Sequence, residues 1–127
     1  MFCISIRQLD GQTIHINPQM LEQALSHSLA IYLALDGDAV VGLVRLVGDG
    51  FSSIFVQDLL VLPSYQRQGI GSSMMKQALA DYKDAYQVQL ATDESEKTLA
   101  FYRSLGFETL SSFQCTGMIW VNRKNLK

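Results

Sequence analysis

Residues 61–82 read VLPSYQRQGIGSSMMKQALADY, with two glycines, Gly69 and Gly71, standing between an apolar run and a helical pattern. Ile70, Met74, Ala78, Leu79 and Tyr82 recur at helical spacing, which predicts a helix after the glycines. A glycine-rich turn into a helix has two readings. Glycine there can simply accept a positive φ in a tight connection. Alternatively, the turn offers unpaired backbone N–H groups and the positive end of the helix dipole to an anion. Gly69 and Gly71 would let a phosphate come close, and Arg67 with the side-chain amides of Gln66 and Gln68 would add donors. Two nucleotide motifs fail at once. A P-loop needs a Gly-Lys pair, which the chain lacks. A dinucleotide fingerprint needs a third glycine where Met74 stands.

Working upstream, LAIYLAL (29–35), AVVGLVRLV (39–47) and SSIFVQDLLVL (52–62) read as three successive strands. They are joined by Asp36-Gly37-Asp38 and Gly48-Asp49-Gly50, short turns that predict an antiparallel meander. CISIRQL (3–9) alternates as a first strand, and Asn17-Pro18 opens a helix over QMLEQALSHS. Downstream, YQVQLAT (86–92) alternates as a strand, and Asp93 with Glu96 has the form of a capping box. Leu99, Tyr102 and Leu105 then share a helical face, Gly106 stops the helix, and 107–110 and 115–121 are expected as closing strands. The order β-α-β-β-β-α-β-α-β-β is mixed α/β, with a mostly antiparallel central sheet flanked by helices and one parallel crossover around the glycine loop. At 127 residues, with no linker or repeat, a single domain over 1–127 is expected.

Composition excludes several classes. Hydrophobic residues make up 48% and charged residues 17%, as in a globular protein. A net charge of −2 gives no electrostatic reason to expect nucleic acid or an anionic membrane as partner. Cys3 and Cys115 cannot form a disulfide framework, and with His15 and His27 they offer no metal-ligand spacing, so no metal is expected. No apolar run reaches the ~20 residues of a membrane helix. The N-terminus lacks a basic leader before a long apolar stretch, so a reducing cytoplasm is the expected location.

The string Gln66-x-x-Gly69-x-Gly71, after a strand and before an amphipathic helix, resembles the signature of the GCN5-related N-acetyltransferases. LAFYRSLGF (99–107) resembles the FY-x-x-x-GF segment of that superfamily at the family's spacing. The resemblance implies acetyl-CoA as co-substrate. Its pyrophosphate would lie on Gln66, Arg67, Gln68, Gly69, Ile70, Gly71 and Ser72. Its pantetheine arm would lie on the backbone of Leu59, Leu60 and Val61, at a strand splayed from its neighbour. Many relatives carry an Asn where Ser95 stands, so Ser95 is a further cofactor-contact candidate. A homodimer is implied as well.

Acetyl transfer to an amine sets three tasks: deprotonating the amine, holding an oxyanion and protonating a thiolate. An amine of pKa about 10 is roughly 99.9% protonated at pH 7, and reaching the nucleophile costs about 4 kcal/mol. Tyr102, matching the family's tyrosine, is the candidate acid for the thiolate. Asp58 interrupts the apolar VQDLLV and is the candidate for binding or deprotonating the amine; the structural alternative, which weighs more, is that it anchors a β-bulge by accepting backbone hydrogen bonds. Gln57 stands where several relatives have Glu, and an amide is no base. The expected activity is direct transfer to a small-molecule primary amine, without an acyl-enzyme. The alternative is a CoA-binding module that has lost catalysis, which Gln57 and Ser95 favour.

Overall fold

Glycines and one aspartate set the turns of the central meander. The structure, a computed structural model, describes residues 6–7, 13–14 and 18–122, with side chains from 19 onward. Its chain divides into two compact units, Gln19–Ala91 and the pair of segments Met1–Pro18 and Thr92–Lys127.

In the first unit, β3 (Ala30–Asp36), β4 (Ala39–Gly48) and β5 (Ile54–Val61) form the expected antiparallel meander. At the second turn Gly48 has φ 131°, and a Cβ there would lie 2.2 Å from the Ser53 carbonyl oxygen. Only glycine fits. Asp49 then accepts the N–H groups of Phe51, Ser52 and Ser53 at 2.8, 2.8 and 3.2 Å. The Ser52 hydroxyl, and after it these backbone donors, hold its carboxyl well below the usual carboxylate range.

A helix, α2 (Ile70–Asp81), crosses over to β6 (Val88–Leu90), which runs parallel to β5 along Ile54–Val56. The sheet order is β3-β4-β5-β6. Val44, Leu46, Ile54 and Val56 from the sheet are buried, as are Met74, Met75 and Ala78 of α2. Both methionines are therefore core, as apolar periodicity implies. The Tyr32 hydroxyl of β3 donates to Asp81 of α2 at 2.7 Å. Helix α1 (Pro18–Ser26) precedes the meander.

The second unit contains the short antiparallel pair β1 (Ile6–Arg7) and β2 (Thr13–Ile14) and helix α3 (Glu96–Ser104). Of the strand expected over 3–9 only 6–7 are described, and the Asn17 cap lies outside the described residues. Neither closing strand is present among the described residues. Residues 107–109 are irregular, and Leu110–Phe113 forms a 3-10 turn instead. The Ser112 hydroxyl and N–H both donate to the Thr109 carbonyl, at 2.7 and 3.0 Å, and such local bonds compete with a strand ladder. Over 115–121 the consecutive apolar residues Met118, Ile119 and Trp120 lack two-residue alternation, and all are exposed. Among the described residues no helix is long and apolar enough to cross a membrane.

Candidate active site

The glycine loop begins where β5 ends. A 3-10 turn, Pro63–Tyr65, is tied to the β3–β4 hairpin by the Tyr65 hydroxyl, which donates to Asp36. Arg67 has φ 65° and Gly69 φ 81°, so two loop residues are left-handed. Gln66 Nε2 donates to the Val61 carbonyl at 3.0 Å, and Gln68 Nε2 reaches the Ser64 carbonyl at 3.5 Å. Each side-chain amide thus directs a donor into its own loop.

Gly69 is the N-cap of α2, and no side chain caps the helix. The first helical bond runs from the Ser73 N–H to the Gly69 carbonyl at 2.9 Å. The N–H groups of Ile70, Gly71 and Ser72 therefore have no partner within the helix. A Cβ built on Gly69 would meet nothing within 4 Å. Packing does not explain that glycine. Its backbone angle does, and so would close approach by a ligand.

Beside the loop lies an unpaired strand edge. Partner β6 follows β5 only as far as Val56. Between Arg45 and Leu46 the β4–β5 register shifts: Leu46 faces Val56 but Arg45 faces Asp58, leaving Gln57 as the extra residue. Before the bulge the Ile54 N–H donates to Gln87, toward β6. After it the Leu62 N–H donates to Val41, toward β4. Two-residue alternation then places the Leu60 backbone in the β4 ladder and turns the backbone groups of Leu59 and Val61 outward. Among the described residues no strand covers that edge.

Asp58 does not stand alone. Its Oδ2 accepts from Arg45 Nε at 2.6 Å, and each residue is 7% exposed. Arg45 Nη1 continues to Ser28 Oγ at 3.3 Å and to the Ala24 carbonyl at 3.5 Å. The Arg45 guanidinium thus takes the place of the backbone donors expected for an anchoring Asp58. Arg45, absent from the candidates above, interrupts an apolar strand just as Asp58 does. Gln57, on the bulge, is exposed.

Tyr102 lies in the second unit, on α3. The N-cap of that helix is Ser95, not Asp93, which corrects the expected capping box. Ser95 Oγ accepts from the Thr98 N–H at 3.2 Å and donates to Thr98 Oγ1 at 2.8 Å. Asp93 instead accepts the Ser95 N–H at 2.9 Å, an Asx-type turn just ahead of the helix. At the other end the Phe107 N–H donates to the Tyr102 carbonyl at 3.1 Å and the Gly106 N–H to that of Arg103 at 3.0 Å. This is a Schellman stop, with Gly106 at φ 98°. Phe107 packs edge-on against Tyr102 at 5.9 Å between centroids, and Phe101 does the same at 5.0 Å. The FY-x-x-x-GF spacing thus ends the helix and orients the tyrosine ring. Burial, and after it the negative charge of Asp93, push the Tyr102 phenol above its ordinary value. Its hydroxyl makes no hydrogen bond among the described residues.

A bare helix N-terminus next to an open strand edge defines a fold suited to a ligand with an anionic end and a peptide-like arm. The family model for the acetyltransferase (GNAT) domain matches residues 27–109, and the chain belongs to that family. A solved GNAT-family acetyltransferase from Streptococcus pneumoniae TIGR4 is 72% identical, with TM-score 0.80, over 93% of this chain and 86% of that one. Serotonin N-acetyltransferase 2, chloroplastic, of Oryza sativa subsp. japonica is 31% identical over 70% of this chain and 46% of its own length. The chain thus spans less than half of that relative. A GNAT-family acetyltransferase from Elizabethkingia anophelis, solved with acetyl-CoA bound, shares the fold at TM-score 0.60 and 22% identity, over 84% of this chain and 74% of that one.

Proposed function

We propose that the chain is an acetyl-CoA-dependent N-acetyltransferase that moves acetyl directly to the primary amine of a small molecule. The observation that carries this reading is the uncapped N-terminus of α2 beside the open Leu59–Val61 edge, both within one unit. The acetyl-CoA of the Elizabethkingia relative supports the donor, and the name of the rice relative supports a small amine as acceptor. The family match spans residues of both units, which supports one acetyltransferase domain.

When bound, acetyl-CoA supplies an activated acyl group. The N–H groups of Ile70, Gly71 and Ser72, with Arg67 exposed beside them, would hold its pyrophosphate. The outward backbone groups of Leu59 and the Val61 N–H would bind the pantetheine arm as an added strand, the Val61 carbonyl already accepting from Gln66. Tyr102 would donate its proton to the departing sulfur; a raised pKa keeps that proton in place at neutral pH. Asp58 would accept the amine proton only on releasing Arg45. Exposed Met118, Ile119 and Trp120 support association into a homodimer, which light scattering would test.

Thermal unfolding with acetyl-CoA, CoA and ATP tests the donor site. At about 100 times its dissociation constant a ligand adds roughly 2.7 kcal/mol, a rise of several degrees in Tm. Acetyl-CoA and CoA should give that rise and ATP should not. No shift at millimolar ligand would reject the reading. The second reading, a CoA-binding module without turnover, is favoured by Gln57 at the bulge and by the engagement of Asp58 with Arg45. It predicts the same shift with no acetylation of any amine.

A further inference from the structure

We infer that Arg45 is a positioning residue for the acyl-donor arm, acting through Asp58 to hold the bulge that turns Leu59 and Val61 outward. The inference rests on the proposed donor site.

Register carries the argument. Without the extra residue, Leu46 would still face Val56, but Arg45 would face Gln57 and Asp58 would face Val44. Val44 is fully buried on the side of the sheet that packs against α2. A carboxylate placed there would be buried with no guanidinium opposite it, a costly arrangement. One inserted residue moves Asp58 to the other face, opposite Arg45, where the 2.6 Å contact satisfies it. The ion pair therefore selects the bulged register over the regular one. Stability alone does not explain such a pair, because buried ion pairs are often no better than apolar residues of similar volume. A register device is among their best-attested uses.

The same slip decides which main-chain atoms face the open edge. In the bulged register they belong to Leu59 and Val61, whereas in the regular register the alternation is reversed. Arg45 also reaches Ala24 in the last turns of α1 and Ser28 just after it, so the bulge is tied to that helix as well as to β4. The glycine loop is outside this pair and meets the edge through one bond, from Gln66 Nε2 to the Val61 carbonyl. Loss of the pair should thus weaken binding of the arm much more than binding of the pyrophosphate.

The test compares CoA with 3′-phospho-ADP, which keeps the anionic end and lacks the arm, by calorimetric titration of the full chain. The double variant Arg45→Met/Asp58→Leu removes both charges and frees the register while retaining apolar volume. Its Tm should exceed that of Asp58→Leu, which leaves a buried cation unpaired. Its Kd for CoA should rise by about tenfold, the scale of one lost hydrogen bond, with that for 3′-phospho-ADP within about twofold of wild type. Equal weakening of both ligands, or of neither, would overturn the inference. If the double variant does not fold, Arg45→Lys keeps the charge but loses the planar fork, and should show the same selective loss at about threefold. A wild-type chain that binds neither ligand would reject the donor site itself, a distinct outcome that removes this inference with it.

Discussion

Tyr102, the proposed acid, keeps its proton at neutral pH. Burial and the Asp93 charge both disfavour the phenolate, so the group stays protonated below its ordinary pKa of about 10 and titrates only above it. Activity should accordingly rise with pH as the amine deprotonates, with no falling limb from Tyr102 before about pH 10. Tyr102→Phe should lower kcat by about 10²-fold or more while leaving the Kd for acetyl-CoA unchanged, read by steady-state kinetics beside calorimetry. A variant with wild-type kcat would remove Tyr102 from the chemistry. At this scale the sequence was partly legible. Asp58 stood out as a charge in an apolar strand, and Arg45 carried the same signal. Their partnership was hidden because a bulge changes which residues face each other, and spacing along one strand says nothing of it. Ser95 stands among the cofactor-contact candidates, yet its hydroxyl closes the cap expected at Asp93.

Helix α3 owes both ends to short-range chemistry: the Ser95–Thr98 cap at one and the Gly106 stop at the other. A Cβ on Gly106 would meet nothing within 4 Å, so only its φ of 98° resists substitution. Gly106→Ala should therefore destabilise by about 1–2 kcal/mol in urea titration, the cost of a left-handed non-glycine residue. A neutral result would mean the chain re-forms the stop without that angle. Strong periodicity and Gly/Asp turns made the meander, its parallel crossover and the helices predictable. The last strands were not. A strand exists only where an edge accepts it, and neither the run Met118-Ile119-Trp120 nor the local bonds at Thr109 and Ser112 supply the alternation such pairing needs.

At the scale of the molecule, two of the described carboxylates tie folding to pH. Asp49 is held below its ordinary range by the Ser52 hydroxyl and then by backbone donors, and Asp93 by Ser95 through its side chain and N–H. A folded pKa below the unfolded one means that their contribution is complete above the unfolded value of about 4 and is lost as pH falls toward the folded one. The Tm should thus hold from neutral pH to about 4 and then fall. Asp49→Asn/Asp93→Asn should lower Tm at pH 7 and flatten the decline below pH 4; an unchanged slope there would place the acid sensitivity elsewhere. The open space above Gly69 has a different bearing. Packing leaves a side chain free to stand there, and only the φ of 81° resists one. Asparagine tolerates the left-handed angle, so Gly69→Asn should fold while its side chain stands over the proposed pyrophosphate site. One side chain thus separates folding from the proposed donor binding: Gly69→Asn with wild-type Tm and wild-type acetyl-CoA affinity would take the loop out of the site.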